Sequence, residues 1–233
     1  MAAPLEELAK AGALQPPKLG DLGPNSVEYY RILRGVRGIK VSDIVAIVNM
    51  SQEGGKPALV DLHGPDANDA YGISVSEGPR SQITSACWSF GYKPASSPSV
   101  EVATFQEVYL SCFLDMREFY IAVGGDSAYG KFGVTATEDD RGAASVFYVE
   151  PVEPIEGDPS LSFRDPFRLK STFGGVDTYL DLCGEGKDGN KWGVAMTEDK
   201  SRPTCVWMAK HGNDVIPSGL AAVGMGELAA KLG

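Results

Sequence analysis

The chain has 233 residues, 43% of them hydrophobic, and Lys+Arg 21 against Asp+Glu 31 gives a formal net charge of -10. A surface of that sign repels phosphate backbones and anionic headgroups, which are held by clustered Lys and Arg, so nucleic acid and bare membrane are excluded as partners. No apolar run approaches the roughly 18 residues that membrane insertion needs, and the first ten residues, MAAPLEELAK, are too acidic and polar for a signal peptide; a soluble, cytoplasmic protein is the expectation.

Residues 1–40 read as an N-terminal extension. Helical spacing over 4–14 is broken by Gln15, Pro16 and Pro17, and 27–36 reads as a short helix or the approach to a first strand. From there to about 209 the chain repeats itself, and a fixed period constrains a fold before any local propensity does. Tyr71-Gly72-Ile73-Ser74-Val75-Ser76-Glu77 matches Phe132-Gly133-Val134-Thr135-Ala136-Thr137-Glu138, and both match Trp192-Gly193-Val194-Ala195-Met196-Thr197-Glu198. Gly72, Gly133 and Gly193 lie 61 and then 60 positions apart.

A preceding strand repeats as Leu59-Val60-Asp61-Leu62, Tyr120-Ile121-Ala122-Val123 and Tyr179-Leu180-Asp181-Leu182, followed two positions on by Gly64, Gly125 and Gly184. Strand, Gly-containing turn and strand is a hairpin signature. β-type runs upstream (44–48, 108–110 and 167–169) and downstream (at Trp88, Phe147 and Trp207) complete four strands per copy. Alternation places Tyr71, Ile73 and Val75 with their counterparts on a core face, together with Val60, Leu62, Ile121, Val123, Leu180 and Leu182. The same alternation turns Asp61, Tyr120, Tyr179 and Asp181 outward. The Pro-containing stretches 91–99 and 151–159 fall between copies, and 220–232 reads as a short C-terminal helix.

An all-β chain of three four-strand units that must close on one another resembles the β-trefoil superfamily, which includes ricin-like lectins, Kunitz-type inhibitors, and fascin-like and hisactophilin-like actin binders. The resemblance rests on period and strand pattern over 41–209, and no single family is assignable because the Gln-x-Trp of ricin-type repeats is absent. It implies an N-terminal extension over 1–40, repeats at about 41–98, 99–158 and 159–211, and a C-terminal extension over 212–233. Both extensions are candidates for self-association into a homo-oligomer.

The residues that could carry chemistry are few. Cys87, Cys112, Cys183 and Cys205 have no C-x-x-C spacing and read as small buried hydrophobes, which gives no metal site and no disulfide framework. The only histidines are His63 and His211, neither in a catalytic motif; an enzyme reading rests on His63 alone and no cofactor is implied. Glu77, Glu138 and Glu198 end the third strands and are expected to accept turn hydrogen bonds. Sugar recognition needs a hydroxyl acceptor beside an aromatic face. The outward set Asp61, Tyr120, Tyr179 and Asp181, with turn residues Asp126, Asp188 and Asn190, therefore forms the candidate ligand-binding set. The expected function is a non-enzymatic carbohydrate-binding module, with a glycan as partner. The alternative is a protein-interaction module: a protease inhibitor acting through 80–85 or 139–143, or a cytoskeletal binder.

Overall fold

The computed structural model describes residues 37–41, 43–51, 58–64, 71–77, 83–92, 100–138, 142–154, 159–163, 165–184 and 192–212. The chain divides into two units, Met1–Arg37 and Gly38–Gly233, and the second carries all that follows. Its described elements are all β apart from single 3-10 turns. The strands are β1 (Val45–Asn49), β2 (Ala58–His63), β3 (Gly72–Ser76), β4 (Trp88–Gly91), β5 (Glu107–Leu114), β6 (Arg117–Gly124), β7 (Phe132–Thr137), β8 (Phe147–Pro151), β9 (Pro166–Ser171), β10 (Thr178–Cys183), β11 (Gly193–Thr197) and β12 (Trp207–His211).

Pairing closes the sheet on itself. β1 pairs with β4, β4 with β5, β5 with β8, β8 with β9, β9 with β12 and β12 with β1, so six strands form a ring without a free edge. The other six form hairpins β2–β3, β6–β7 and β10–β11, in which Leu59↔Ser76 to His63↔Gly72, Tyr120↔Thr137 to Gly124↔Gly133, and Tyr179↔Thr197 to Cys183↔Gly193 take equivalent registers. The hairpins join through Gly72↔Thr135, Ala195↔Gly133 and the bridge Val75↔Trp192.

Away from the hairpins, three short segments form a cycle of hydrogen bonds. Ile39 N–H donates to Leu161 O at 2.8 Å, Leu161 N–H to Val102 O at 2.7 Å and Val102 N–H to Ile39 O at 2.7 Å. All three side chains are buried in the common core. Residues 38–40 fall in the stretch read as extension, and they supply one side of this cycle.

The core is the face that alternation assigned. Tyr71, Ile73, Val75, Met196, and the strand pairs Val60 and Leu62, Ile121 and Val123, Leu180 and Leu182 share one cluster, against which Phe132, Val134, Ala136, Trp192 and Val194 pack. The glycine that opens β3, and the one near the start of β7, lets its partner come close. A side-chain carbon on Gly72 would fall 2.5 Å from the His63 imidazole, and one on Gly133 would fall 2.9 Å from the Gly124 carbonyl. The turn glycines Gly64, Gly125 and Gly184 have φ of 134°, 67° and 61°, in the positive region that side chains disfavour.

Two tryptophans lock the fourth strand of a copy to the second. Trp88 Nε1 donates to Val60 O and Trp207 Nε1 to Leu180 O, each at 2.9 Å, and both rings are wholly buried. Copy two has Phe147 at that place. The Asn49-Met50-Ser51 sequon is also structural: Asn49 is 3% exposed, its Nδ2 donates to Thr204 O at 2.8 Å, and its Oδ1 accepts from Ser51 N–H at 3.0 Å.

Trp88→Phe should therefore cost about 1–3 kcal/mol, because it keeps a ring in the core but strips the Val60 carbonyl of its donor. Urea unfolding that gives less than about 0.5 kcal/mol would contradict this role. Asn49→Ala should destabilise by a comparable amount in the same measurement.

Candidate functional site

The outward set is corrected by burial. Asp61 and Asp181 are 0% exposed, and Tyr120 and Tyr179 are 5% exposed. Alternation puts them off the barrel core, as expected, yet that second face is not solvent. The 3-10 turns Ile83–Ala86, Ala143–Ser145 and Pro203–Cys205, which lead into the fourth strand of each copy, pack on β2, β6 and β10 respectively. Beneath the first of these turns, Leu59 joins Ala46, Val48 and Ala86 in a satellite core.

The buried polar groups serve the scaffold. Arg202 Nη1 lies 2.7 Å from Asp181 Oδ2, a contact of opposite charges rather than an aligned hydrogen bond, and the Cys205 thiol donates to Asp181 Oδ1 at 3.5 Å. Tyr179 donates its hydroxyl to Glu150 Oε2 at 3.4 Å, and Lys200 Nζ reaches Glu150 Oε1 at 3.3 Å. Glu138, expected to accept turn amides, instead pairs with Arg117 Nη1 at 2.7 Å, while Arg117 Nη2 donates to the Tyr71 hydroxyl at 2.6 Å and the guanidinium stacks on the Tyr71 and Phe119 rings. The contacts of Glu150 with Tyr179 and Lys200, and of Arg117 with Tyr71, tie one copy to the next.

The environment of each thiol disfavours its thiolate. Burial pushes Cys87 up to about 11, and burial followed by the Asp181 carboxylate does the same to Cys183, to about 11. Burial, then the Asp181 charge and hydrogen bond, raises Cys205, and burial first, with Cys87 and Asp61 adding to it, raises Cys112 well above the ordinary value. Among the described residues, no group of three or more His, Cys, Asp or Glu is placed to hold a metal ion.

Of the described members of the candidate set, the one that faces solvent lies in the turn between β6 and β7. Asp126 is exposed there, as the turn position predicts, and Tyr129, absent from the expected set, is 58% exposed. Three contacts fix this turn. Ser127 Oγ accepts from Tyr129 N–H at 3.2 Å, Lys131 N–H donates to Met196 O at 2.6 Å, and any side chain on Gly130 would strike that same carbonyl, at 2.6 Å. The turn of copy two thus lies on the third hairpin.

The Tyr129 ring is seated face-on. A side-chain carbon on Gly184 would lie 2.9 Å from each of the ring carbons Cδ1, Cδ2 and Cε1. A point equidistant from three carbons of a hexagon lies on the axis through its centre, so Gly184 sits under one face of the ring. Only a glycine fits there, and its φ of 61° suits one. The sequence signal for Tyr129 is that it is the one aromatic residue in the three equivalent turns, 65–70, 126–131 and 185–191. Asp188 and Asn190 lie outside the described residues, as does most of the two loops 80–85 and 139–143.

No protein-family model matches the sequence, and no curated protein matches it. Solved structures do. The SDF2-like protein from Arabidopsis thaliana superposes with a TM-score of 0.58 at 10% identity, over 75% of this chain and 95% of that one. The S. cerevisiae protein O-mannosyltransferase Pmt1-Pmt2 complex bound to the sugar donor gives 0.56 at 17% identity, over 76% of this chain and 25% of that one. The botulinum neurotoxin serotype D ligand binding domain in complex with N-acetylneuraminic acid gives 0.53 at 13% identity, over 80% and 48%. This chain thus spans about a quarter and about half of the latter two. At these identities the likeness shows the fold alone.

Two outcomes test the buried chemistry. Arg202→Met should destabilise by about 1–3 kcal/mol, less than the roughly 3–5 of a fully enclosed pair because the guanidinium is partly exposed, and Asp181→Ala on top of it should restore most of the loss, since copy two holds Ala122 there. A thiol whose pKa is near 11 is about one-thousandth thiolate at pH 8, so Cys87 and Cys183 should resist a disulfide reagent in the folded protein and react only as pH approaches 11 or the chain unfolds. Rapid labelling at pH 8 of the native protein would contradict the burial.

Proposed function

We propose that the chain is a β-trefoil of three four-strand repeats, its first repeat beginning at about residue 38, and that it acts as a non-enzymatic carbohydrate-binding module. The trefoil reading is supported by the equivalent hairpin registers, the six-strand ring and the cycle of Ile39, Val102 and Leu161. The single observation that carries the function is the Tyr129 ring, 58% exposed with one face on Gly184, in the same turn as the exposed Asp126.

The chemistry follows from the shape of a sugar. A pyranose has one face of C–H groups and a rim of hydroxyls, and an aromatic face with an adjacent acceptor meets both needs. The platform is rigid before any ligand arrives, because Ser127, Gly130 and Lys131 fix the turn, and a preformed surface loses little freedom on binding. Two structural neighbours that this chain spans in part, one bound to a sugar donor and one in complex with N-acetylneuraminic acid, support this reading at the level of fold. Asp61, Tyr120, Tyr179 and Asp181 stand outside the proposed site, since each is enclosed.

A glycan array on the intact chain, followed by titration of the sugars retained, tests the reading. Tyr129→Ala should weaken binding by about tenfold or more, which corresponds to about 1.4 kcal/mol, and Asp126→Ala should do so to a lesser degree, while Tyr129→Phe retains binding. Both exposed positions should leave unfolding within about 0.5 kcal/mol of the parent. An array with no binder at high protein concentration removes the proposal.

A further inference from the structure

We infer that the Tyr129 platform takes a single uncharged pyranose per chain, at the seam between copies two and three, and discriminates against acidic sugars. The inference rests on the reading of Tyr129 as a sugar platform and adds to it a number of sites and a ligand charge.

The number comes from the three equivalent turns. Copy one has Pro65-Asp66-Ala67-Asn68-Asp69-Ala70, copy two Asp126-Ser127-Ala128-Tyr129-Gly130-Lys131, and copy three Glu185-Gly186-Lys187-Asp188-Gly189-Asn190-Lys191. Only the second supplies an aromatic face. That face also needs its support: the ring is held flat because Gly184, contributed by copy three, has no side chain. A threefold fold is therefore expected to bind with one equivalent of ligand, and avidity from repeated sites within a chain is not available to it.

The ligand charge comes from what surrounds the ring. Recognising a sugar carboxylate calls for a guanidinium or ammonium free to pair with it. Among the described residues, Arg117 is engaged by Glu138 and Tyr71, Arg168 Nε donates to Lys200 O at 3.0 Å, and Arg202 lies against Asp181. In the sequence the turn holds Asp126 with Lys131, and the turn after Gly184 holds Glu185 and Asp188 with Lys187 and Lys191, so each turn carries as many carboxylates as ammonium groups. The net charge of -10 then sets the sign of the field that an approaching anion meets. This repulsion is long-ranged and screened by salt, with a Debye length of about 30 Å at 0.01 M and about 8 Å at 0.15 M.

The test is a titration by calorimetry and saturation-transfer NMR of the full chain. The probes are the methyl glycosides of glucose, galactose and mannose, the methyl glycosides of glucuronic and galacturonic acid, and N-acetylneuraminic acid, each at about 10 mM and 150 mM salt. A glucoside and its glucuronide differ only by the carboxylate, so their ratio isolates charge. The expected result is saturation by a neutral hexoside at one equivalent. The matching uronide should bind about three- to tenfold more weakly at low salt, with the gap narrowing at 150 mM, as screened repulsion requires. Tyr129→Ala and Gly184→Ala should both weaken hexoside binding by about tenfold or more; circular dichroism and urea unfolding of Gly184→Ala separate a displaced ring from a lost fold, and Tyr129→Ala carries the test if Gly184→Ala fails to fold. Two or three equivalents, or an acidic sugar bound as tightly as its neutral counterpart through Tyr129, overturns the inference and leaves the platform reading standing. No binding of any probe, or binding indifferent to Tyr129→Ala, overturns the platform reading itself.

Discussion

The architecture depends on a cycle of three backbone hydrogen bonds, in which Ile39, Val102 and Leu161 each donate to one neighbour and accept from the other. Buried amides must find partners, and here no segment can be satisfied by its own copy. Removing any one of them would leave a donor on one neighbour and an acceptor on the other, both enclosed. The same mutual dependence recurs in the six-strand ring and at the joined hairpins, where Val75 and Trp192 exchange hydrogen bonds between the first and third copies. Stability is thus a property of the closed set, and its cooperativity follows from topology rather than from any especially strong contact.

Closure also dictates where function can reside. Each second strand is covered twice, by the barrel core on one side and by the 3-10 turn entering the fourth strand on the other. Polar residues there are drawn into scaffold contacts, as Asp181 is by Arg202 and Cys205 and Tyr179 by Glu150. Solvent is left mainly with the turns, which are free to vary on a rigid frame. The β6–β7 turn is one such place, and it is stiffened because it leans on a neighbouring hairpin.

Much of this frame was legible in the sequence, because the strings around Gly72, Gly133 and Gly193 combine period and alternation, and both survive into the registers His63↔Gly72, Gly124↔Gly133 and Cys183↔Gly193. The burial of Asp61 and Asp181 was not. Period-two alternation reports which face a side chain takes, and it is silent on what a connecting segment lays over that face. Ile39 escaped for a related reason: a residue whose partners, Val102 and Leu161, lie 63 and 122 positions away leaves no local pattern. Of the candidate site, Asp126 was found from its turn and Tyr129 was passed over, although its singularity among the three turns was visible. That it rests on Gly184 needed coordinates, since the support comes from another copy.

The exchange of tryptophan for phenylalanine in the middle copy gives the molecule built-in optical reporters. The indoles of Trp88 and Trp207 are sealed from water and bonded to Val60 and Leu180, while Phe147 fills the same niche with a ring that has no comparable emission. Native fluorescence, Trp192 included, therefore arises in the first and third copies, and an opening confined to the second would pass largely unseen by it. Tyrosine signals, from Tyr120 and Tyr148 among others, would be needed to follow that part of the chain.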